Sequence, residues 1–343
     1  MQYRGELALE LRHGANQGQF GDREALADNA TLRGDGRSPM WFRNLTCFRL
    51  VEPFPFTAET LAARLEPRSF QPCPSHQPSA AGWAPPLGRK AVDLVHAVAG
   101  RLLVRLRTEE RVLPAAVVHQ ALSERIDAIE DQQGRSVRRR EQRELRERLV
   151  EELLPRALTR CRDGYAYLDP AAGWLVVDSA SPRGVEEITG ILRKTLDTLP
   201  IAPLEVRQST AMVMTAWLAE GRAPAEFALG DVCELREASE TGGVVRCRGQ
   251  DLTGDEIHGH LEAGKQVAQL GLIWNERIAF VLDETLIVRR LRFLDVVKET
   301  LRDSKTDSPE AIFDAEFALM TGELALLLPR LLDLFGGEAG RRA

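Results

Sequence analysis

The sequence predicts an α+β fold of mixed and antiparallel sheets with helices. Three observations point there. Runs with the two-residue alternation of strands come in neighbouring pairs around short turn-forming stretches. Segments with apolar residues at i, i+3 and i+4 lie between them. The two kinds follow no regular βαβ rhythm, and no repeat of solenoid period occurs. The 343 residues suffice for two or three domains with a real buried core.

Residues 1–39 are rich in Gly, Asn, Asp and Arg and poor in β-branched and aromatic residues, so disorder is expected. Met40 opens "MWFRNLTCFRLV", a strand, which marks 1–39 as either a flexible tail or an extension upstream of the natural start. "FQPCPSHQPSAAGWAPPLGR", 70–89, is a proline-rich loop anchored by Trp83, and "AGRLLVRLRTEERVLP" continues as a strand. Over 113–133, Val118, Leu122, Ile126 and Ile129 have helical spacing, and Gly134 ends the helix. Ser136 is the expected N-cap of a second helix running towards Leu154, limited by Pro155.

"GYAYLDPAAGWLVVDSA", 164–180, reads as a hairpin, "VEEITGILRKTLDTLP" as an amphipathic helix and "APLEVRQ" as a short strand. A short helix surrounds Trp217. "FALGDVCELRE" and "GGVVRCRG" read as paired strands, and "TGDEIHGHLEAGKQVAQ" as a helix. "GLIWNERIAFVLDETLIVRRLRF" reads as one strand pair around "DET". From Ser308 and Pro309 a long apolar helix begins, with Leu324, Leu327, Leu328, Leu331 and Leu332 serving as core or as an interface. The resulting division is 1–39; an N-terminal α/β part, 40–112; a helical projection, 113–160; a central α+β part, 161–250; and a C-terminal α+β part, 251–343.

The chain carries 45 Lys+Arg against 51 Asp+Glu, a formal charge of -6, yet residues 134–149, "GRSVRRREQRELRERL", hold seven arginines. Placed on a helix at about 100° per residue, Arg135, Arg139, Arg143 and Arg146 share an arc of about 80°, with Arg138 extending it. Glu141, Glu144 and Glu147 lie on the other side, with Arg140 and Arg148 among them. A charge-laced, solvated helix is the ordinary outcome, but here the signs segregate. The same asymmetry recurs in three strands. Arg101, Arg105 and Arg107 share one face in "RLLVRLR", Arg246 and Arg248 in "VVRCR", and Arg290 and Arg292 in "LIVRRLRF". Each alone is an ordinary exposed face. Together with the helix they predict a basic wall that binds phosphates without reading bases.

Signals for other chemistry are weak. The five cysteines form no C-x-x-C pair, which fits a reducing cytoplasm rather than a zinc ribbon. His258 and His260, near Asp255 and Glu256, would diverge by about 200° on a helix, and Asp314 and Glu316 likewise. No lipase, zincin or phosphate-loop motif occurs. No apolar run approaches a membrane span, and no secretory h-region is present. No metal or cofactor is expected. A metal-dependent nuclease and a protein-binding scaffold with an arginine face remain the alternatives.

Several segments resemble the RdgC family of bacterial recombination-associated proteins. They are "MWFRNL" at Met40, "GWAPP" at 82–86, "LLPRAL" at 153–158, "LRKTLDTLPIAPL" at 192–204 and "GGVVRCRGQDLT" at 242–253. "EAGK" with the following "IWNERIAFVL", and "FDAEFALMTGELALLLPRLLDLFGGE" at 313–338, complete the set. The resemblance runs from Met40 to about Glu338. It implies an elongated, curved α+β subunit that closes into a ring-shaped homodimer around double-stranded DNA. It also implies nucleoid association, antagonism of the RecA recombinase and no catalytic activity. Basic family positions match Arg107, Arg135, Arg156, Arg193, Lys194, Arg246, Lys265 and Arg290. Where the family often has an aromatic residue at the subunit tips, this chain has Leu158, and Gly249 replaces a family lysine.

Overall fold

A computed structural model describes residues 40–88, 91–224, 226–237, 242–302 and 308–339. The expectations for residues 1–39 lie outside the described residues. The described chain builds two sheets, and every pairing between their strands is antiparallel.

The first sheet contains β1 (Thr46–Leu50), β2 (Ser79–Ala84), β3 (Val95–Val98), β4 (Arg101–Val112), β5 (Leu158–Asp169), β6 (Trp174–Val177) and β7 (Ile201–Pro203). Its order is β2-β4-β5-β6-β1-β7, and β3 shares the β2 edge of β4. β4 and β5 pair without interruption from Leu102↔Leu168 to Val112↔Leu158, making one long ribbon. At its far end the chain leaves β4, forms α2 (Ala115–Gln133) and α3 (Arg139–Leu153), and returns into β5.

One face of this sheet is covered by α1 (Ala58–Leu65) and α4 (Pro182–Leu196). Leu61 and Leu65 meet Leu102, Val104, Leu106, Ile188 and Leu192 there, away from water. The other face joins a larger core in which Leu103 and Tyr167 meet Phe317 of α8 (Pro309–Asp333). Ser308 caps α8 by accepting from the Ala311 N–H. Leu324, Leu327, Leu328, Leu331 and Leu332 are all buried, so these leucines are core and not an interface.

The second sheet has the order β12-β11-β10-β8-β9. Its strands are β8 (Phe227–Arg236), β9 (Val244–Arg248), β10 (Gln266–Trp274), β11 (Ile278–Asp283) and β12 (Val288–Phe293). α5 (Thr210–Ala219), α6 (Asp255–Glu262) and α7 (Asp295–Arg302) complete the described elements. The expected single strand pair around "DET" is instead three strands. Asn275 and Glu276 both take positive φ, and the Arg277 N–H donates to the Trp274 carbonyl at 2.9 Å, a tight turn that splits the first apolar run. The helix expected through "KQVAQ" stops at Glu262. Gly264 has φ 84°, and the chain is a strand from Gln266.

Candidate nucleic-acid interface

The arginine-rich helix starts later than its sequence indicates. Gly134 takes the left-handed conformation and ends α2. Residues 135–138 then lie outside both helices, and Val137 among them is buried. The Val137 N–H donates to the Glu130 carboxylate at 2.7 Å, and the Gln142 side chain donates back to the Val137 carbonyl at 3.1 Å. Burying that valine costs the expected Ser136 cap. Arg138 is the N-cap and makes no side-chain capping bond. Arg139 and Arg140 thus occupy the first two helical positions, where the macrodipole disfavours cations. Glu141 in the same turn offsets part of that cost.

Arg135 is consequently outside the helix. Both its terminal nitrogens donate to Glu141 at 2.8 Å, and its Nε donates to Gln133 at 2.9 Å. This fork lowers the Glu141 carboxyl and raises the Arg135 guanidinium relative to their ordinary values. Arg140 pairs with Glu144 at 3.1 Å. Arg139, Arg143 and Arg146 are different. They project within about 60° of one another, are exposed, and form no ion pair among the described residues.

The arginines of β4 do share a face, as alternation requires, but that face is not an open basic wall. Arg101 donates to Asp169 at 2.8 Å and to Thr321 of α8 at 3.4 Å. Arg105 is only 5% exposed and donates to Asp163 at 2.7 Å and to the Pro85 carbonyl at 3.0 Å. Arg107 grips the same Asp163 with two bonds, 2.9 and 3.1 Å. Burial pushes the Asp163 carboxyl up, but hydrogen bonds from Arg107 and Arg105 outweigh it and hold the group below its ordinary value. All three arginines are thus paired with carboxylates of the neighbouring strand β5, so this face carries less open charge than its alternation alone suggests.

The second sheet divides the same way. Arg246 donates to Glu234 at 2.7 Å, and Arg236 shares that carboxylate. Lys265 is largely covered, with Nζ 3.9 Å from Glu237. Arg248 is exposed and forms no ion pair among the described residues. In β12 a bulge resets the alternation at Arg290, whose φ is 51°. Arg289 turns to Asp283 at 2.9 Å, whereas Arg290 and Arg292 stay exposed. Arg156, in the short helical turn after α3, and Arg193 and Lys194 on α4 are exposed as well.

What the sequence did not indicate is the set of acids that pair with Arg101, Arg105, Arg107, Arg135, Arg246 and Lys265: Asp163, Asp169, Glu141, Glu234 and Glu237. The hairpin read over 164–180 begins just after Asp163, and the register Arg107↔Asp163 was not readable. Leu158 is 82% exposed at the mouth of the β4–β5 ribbon, opposite the exposed Val112 and close in sequence to α3. The carboxylates and imidazoles weighed for a metal do not converge. His258 faces the Gly254 and Ala219 carbonyls at 3.1 and 3.2 Å, and Asp314 pairs with His96 at 3.1 Å. Among the described residues no group of three or more His, Cys, Asp or Glu is placed to hold an ion. No described helix is long and apolar enough to cross a membrane.

The family model described as "Putative exonuclease, RdgC" matches residues 40–338. The chain belongs to the RdgC family. It is similar to the recombination-associated protein RdgC of Aeromonas hydrophila, 42% identical over 299 residues, covering 87% of this chain and 99% of the relative. The RdgC of Dechloromonas aromatica is 43% identical over 303 residues, covering 87% and 98%. That of Pseudomonas aeruginosa is 41% identical over 300 residues, with the same coverage. RdgC is thus a family of recombination-associated proteins by these names, and the matched span contains every arginine considered above.

Proposed function

We propose that this RdgC member is a non-catalytic protein that binds double-stranded DNA through its phosphates, without sequence preference. As a ring-shaped homodimer of curved subunits it encircles the duplex and limits RecA-mediated recombination by occupying it. The observation that carries this reading is the unpaired row Arg139, Arg143 and Arg146. An acidic chain keeps three exposed arginines without carboxylate partners on one arc of a helix, with Arg139 in the first turn, where the dipole disfavours a cation. That arrangement serves a polyanion better than it serves the fold. Arg156, Arg193, Lys194, Arg248, Arg290 and Arg292 extend the open set, with 113–160 as the DNA-facing projection. Arg101, Arg105, Arg107, Arg135, Arg246 and Lys265 take supporting positions behind it.

A closed two-fold ring needs two self-complementary contacts. Leu158, with Val112 and Val117 exposed beside the same ribbon end, supplies apolar surface for one of them. An interior of open arginines and an acidic remainder reconcile DNA binding with a formal charge of -6. Nucleoid association follows from binding duplex without sequence preference.

The test compares linear and covalently closed circular duplex of one length at matched salt. Binding should weaken by about 0.9 log units per phosphate contact for each tenfold rise in salt. Release from the closed circle should be slower, because the ring must open. Binding that ignores salt, or release that ignores ends, would overturn the proposal.

The description of the family model favours one rival, an exonuclease. End-labelled duplex with Mg2+ or Mn2+ decides it. Nucleotide release abolished by substituting Asp255, Glu256, His258, Asp314 or Glu316 would replace the non-catalytic reading.

A further inference from the structure

Cys233 of β8 and Cys247 of β9 are directly opposed across an antiparallel pair. Two residues along each strand, the Gly249 N–H donates to the Asp231 carbonyl at 2.8 Å. Hydrogen-bonded positions recur every second residue, so the cysteines occupy one too. Opposed residues at such positions have Cα atoms about 5.5 Å apart, inside the window of about 4.4 to 6.8 Å that a disulfide spans. Both side chains point to the core, 1% and 9% exposed, and belong to the same buried cluster. Both are free. The other cysteines on these sheets lack this arrangement: Cys47 faces Val176 and Cys161 faces Glu109.

The pair also sits where the sheet opens most easily. β9 has five residues and is the edge of its sheet, hydrogen-bonded to β8 alone among the described strands. Edge segments open at lower free energy than the strands behind them. Opening is required, because burial pushes the Cys233 thiol up to about 12, with Cys247 adding to the rise, and the thiolate is the reactive form.

We propose that Cys233 and Cys247 are an oxidation-sensitive pair, converted by a two-electron oxidant such as a diazenedicarboxamide or a peroxide into a cross-strand disulfide that fastens β9 to β8. With the diazene, one thiolate adds to the N=N bond. The second attacks the sulfur so activated and displaces the hydrazide. Two S–H bonds are lost, one S–S bond forms, and the N=N unit leaves as the hydrazine with both protons and both electrons. With peroxide the same two electrons and two protons yield two waters. Hydrogen-bonded cross-strand positions hold Cβ atoms wider than a relaxed disulfide prefers. The bridge should therefore reduce readily, as strained disulfides do. It would tether the strand carrying Arg246 and Arg248 without changing any charge.

The experiment treats the native full chain with diamide, alkylates residual thiols in denaturant and maps the fragments by mass spectrometry. The expected result is loss of two of the five alkylatable thiols and a Cys233–Cys247 linked fragment pair, two hydrogens lighter than its parts. Dithiothreitol should restore both thiols, and Cys247→Ser should abolish the linked pair. If that variant fails to fold, the wild-type fragment map decides alone. The proposal is overturned if Cys161 is consumed while Cys233 and Cys247 stay alkylatable. It is equally overturned if the linked pair forms only at temperatures that unfold the whole protein.

Discussion

β4 and α3 are both arginine-rich, and their arginines meet opposite fates. Arg101, Arg105 and Arg107 lie on a central strand where a neighbouring strand presents a side chain opposite every position. β5 presents Asp163 and Asp169 there, and the charge is consumed. Arg139, Arg143 and Arg146 lie on a helix at the far end of the ribbon, where no element stands opposite the arginine arc among the described residues. The lesson concerns what counts as a basic surface. Facing and spacing decide where an arginine points, but the element across from it decides whether its charge is available to a polyanion.

The largest effect should come from breaking the closed set. Asp163→Ala strands two arginines with little solvent, and an uncompensated buried charge costs about 3 to 5 kcal/mol. Urea unfolding should show that loss, and a variant as stable as the wild type would sink the claim that β4's arginines belong to the fold. Acid should reproduce the effect in part. The Asp163 carboxyl is held below its ordinary 3.8, so it contributes stability above that value and loses it as pH falls through the lower folded value. Asp163→Asn should remove that limb of the stability–pH curve.

Why one region was legible in the sequence and the other was not follows from the range of the interactions. The helical period of α2, its stop at Gly134, the β5–β6 hairpin and the Ser308 cap are local, set within a few residues, and the sequence carries them. The face shared by Arg101, Arg105 and Arg107 is local too. Their neutralisation is not, since Arg107 meets Asp163 across 56 residues of chain. Two local readings failed for nearer reasons. Ser136 lost its cap because Val137 found a buried site, and the turn at Asn275 and Glu276 has no glycine to announce it.

The next effect tests the open set. Changing Arg139, Arg143 and Arg146 together to Ala should lower the salt slope of duplex binding by about 2.7 per protomer. At 0.15 M salt that is about a hundredfold in affinity, alike for every sequence. Urea unfolding should barely move, because no ion pair is lost. A stability loss without a change of slope would mean that these arginines serve the fold after all, and the contrast with β4 would collapse.

The smallest effect is the sharpest, because it converts a closed arginine into an open one. Arg135 sits one turn of chain from the open row, and its charge is held by the two bonds to Glu141. Glu141→Gln removes the opposing charge while keeping an acceptor for one of those bonds. If availability of charge is what separates the two regions, the variant should bind duplex more tightly than the wild type. One added phosphate contact is worth about 0.9 in slope, hence no more than about fivefold in affinity at 0.15 M salt. The gain should vanish in Glu141→Gln with Arg135→Ala, since the freed guanidinium is its source. Equal tightening with and without Arg135 would assign the gain to the lost carboxylate's repulsion of DNA. Arg135 would then be a turn-fastening residue and nothing more.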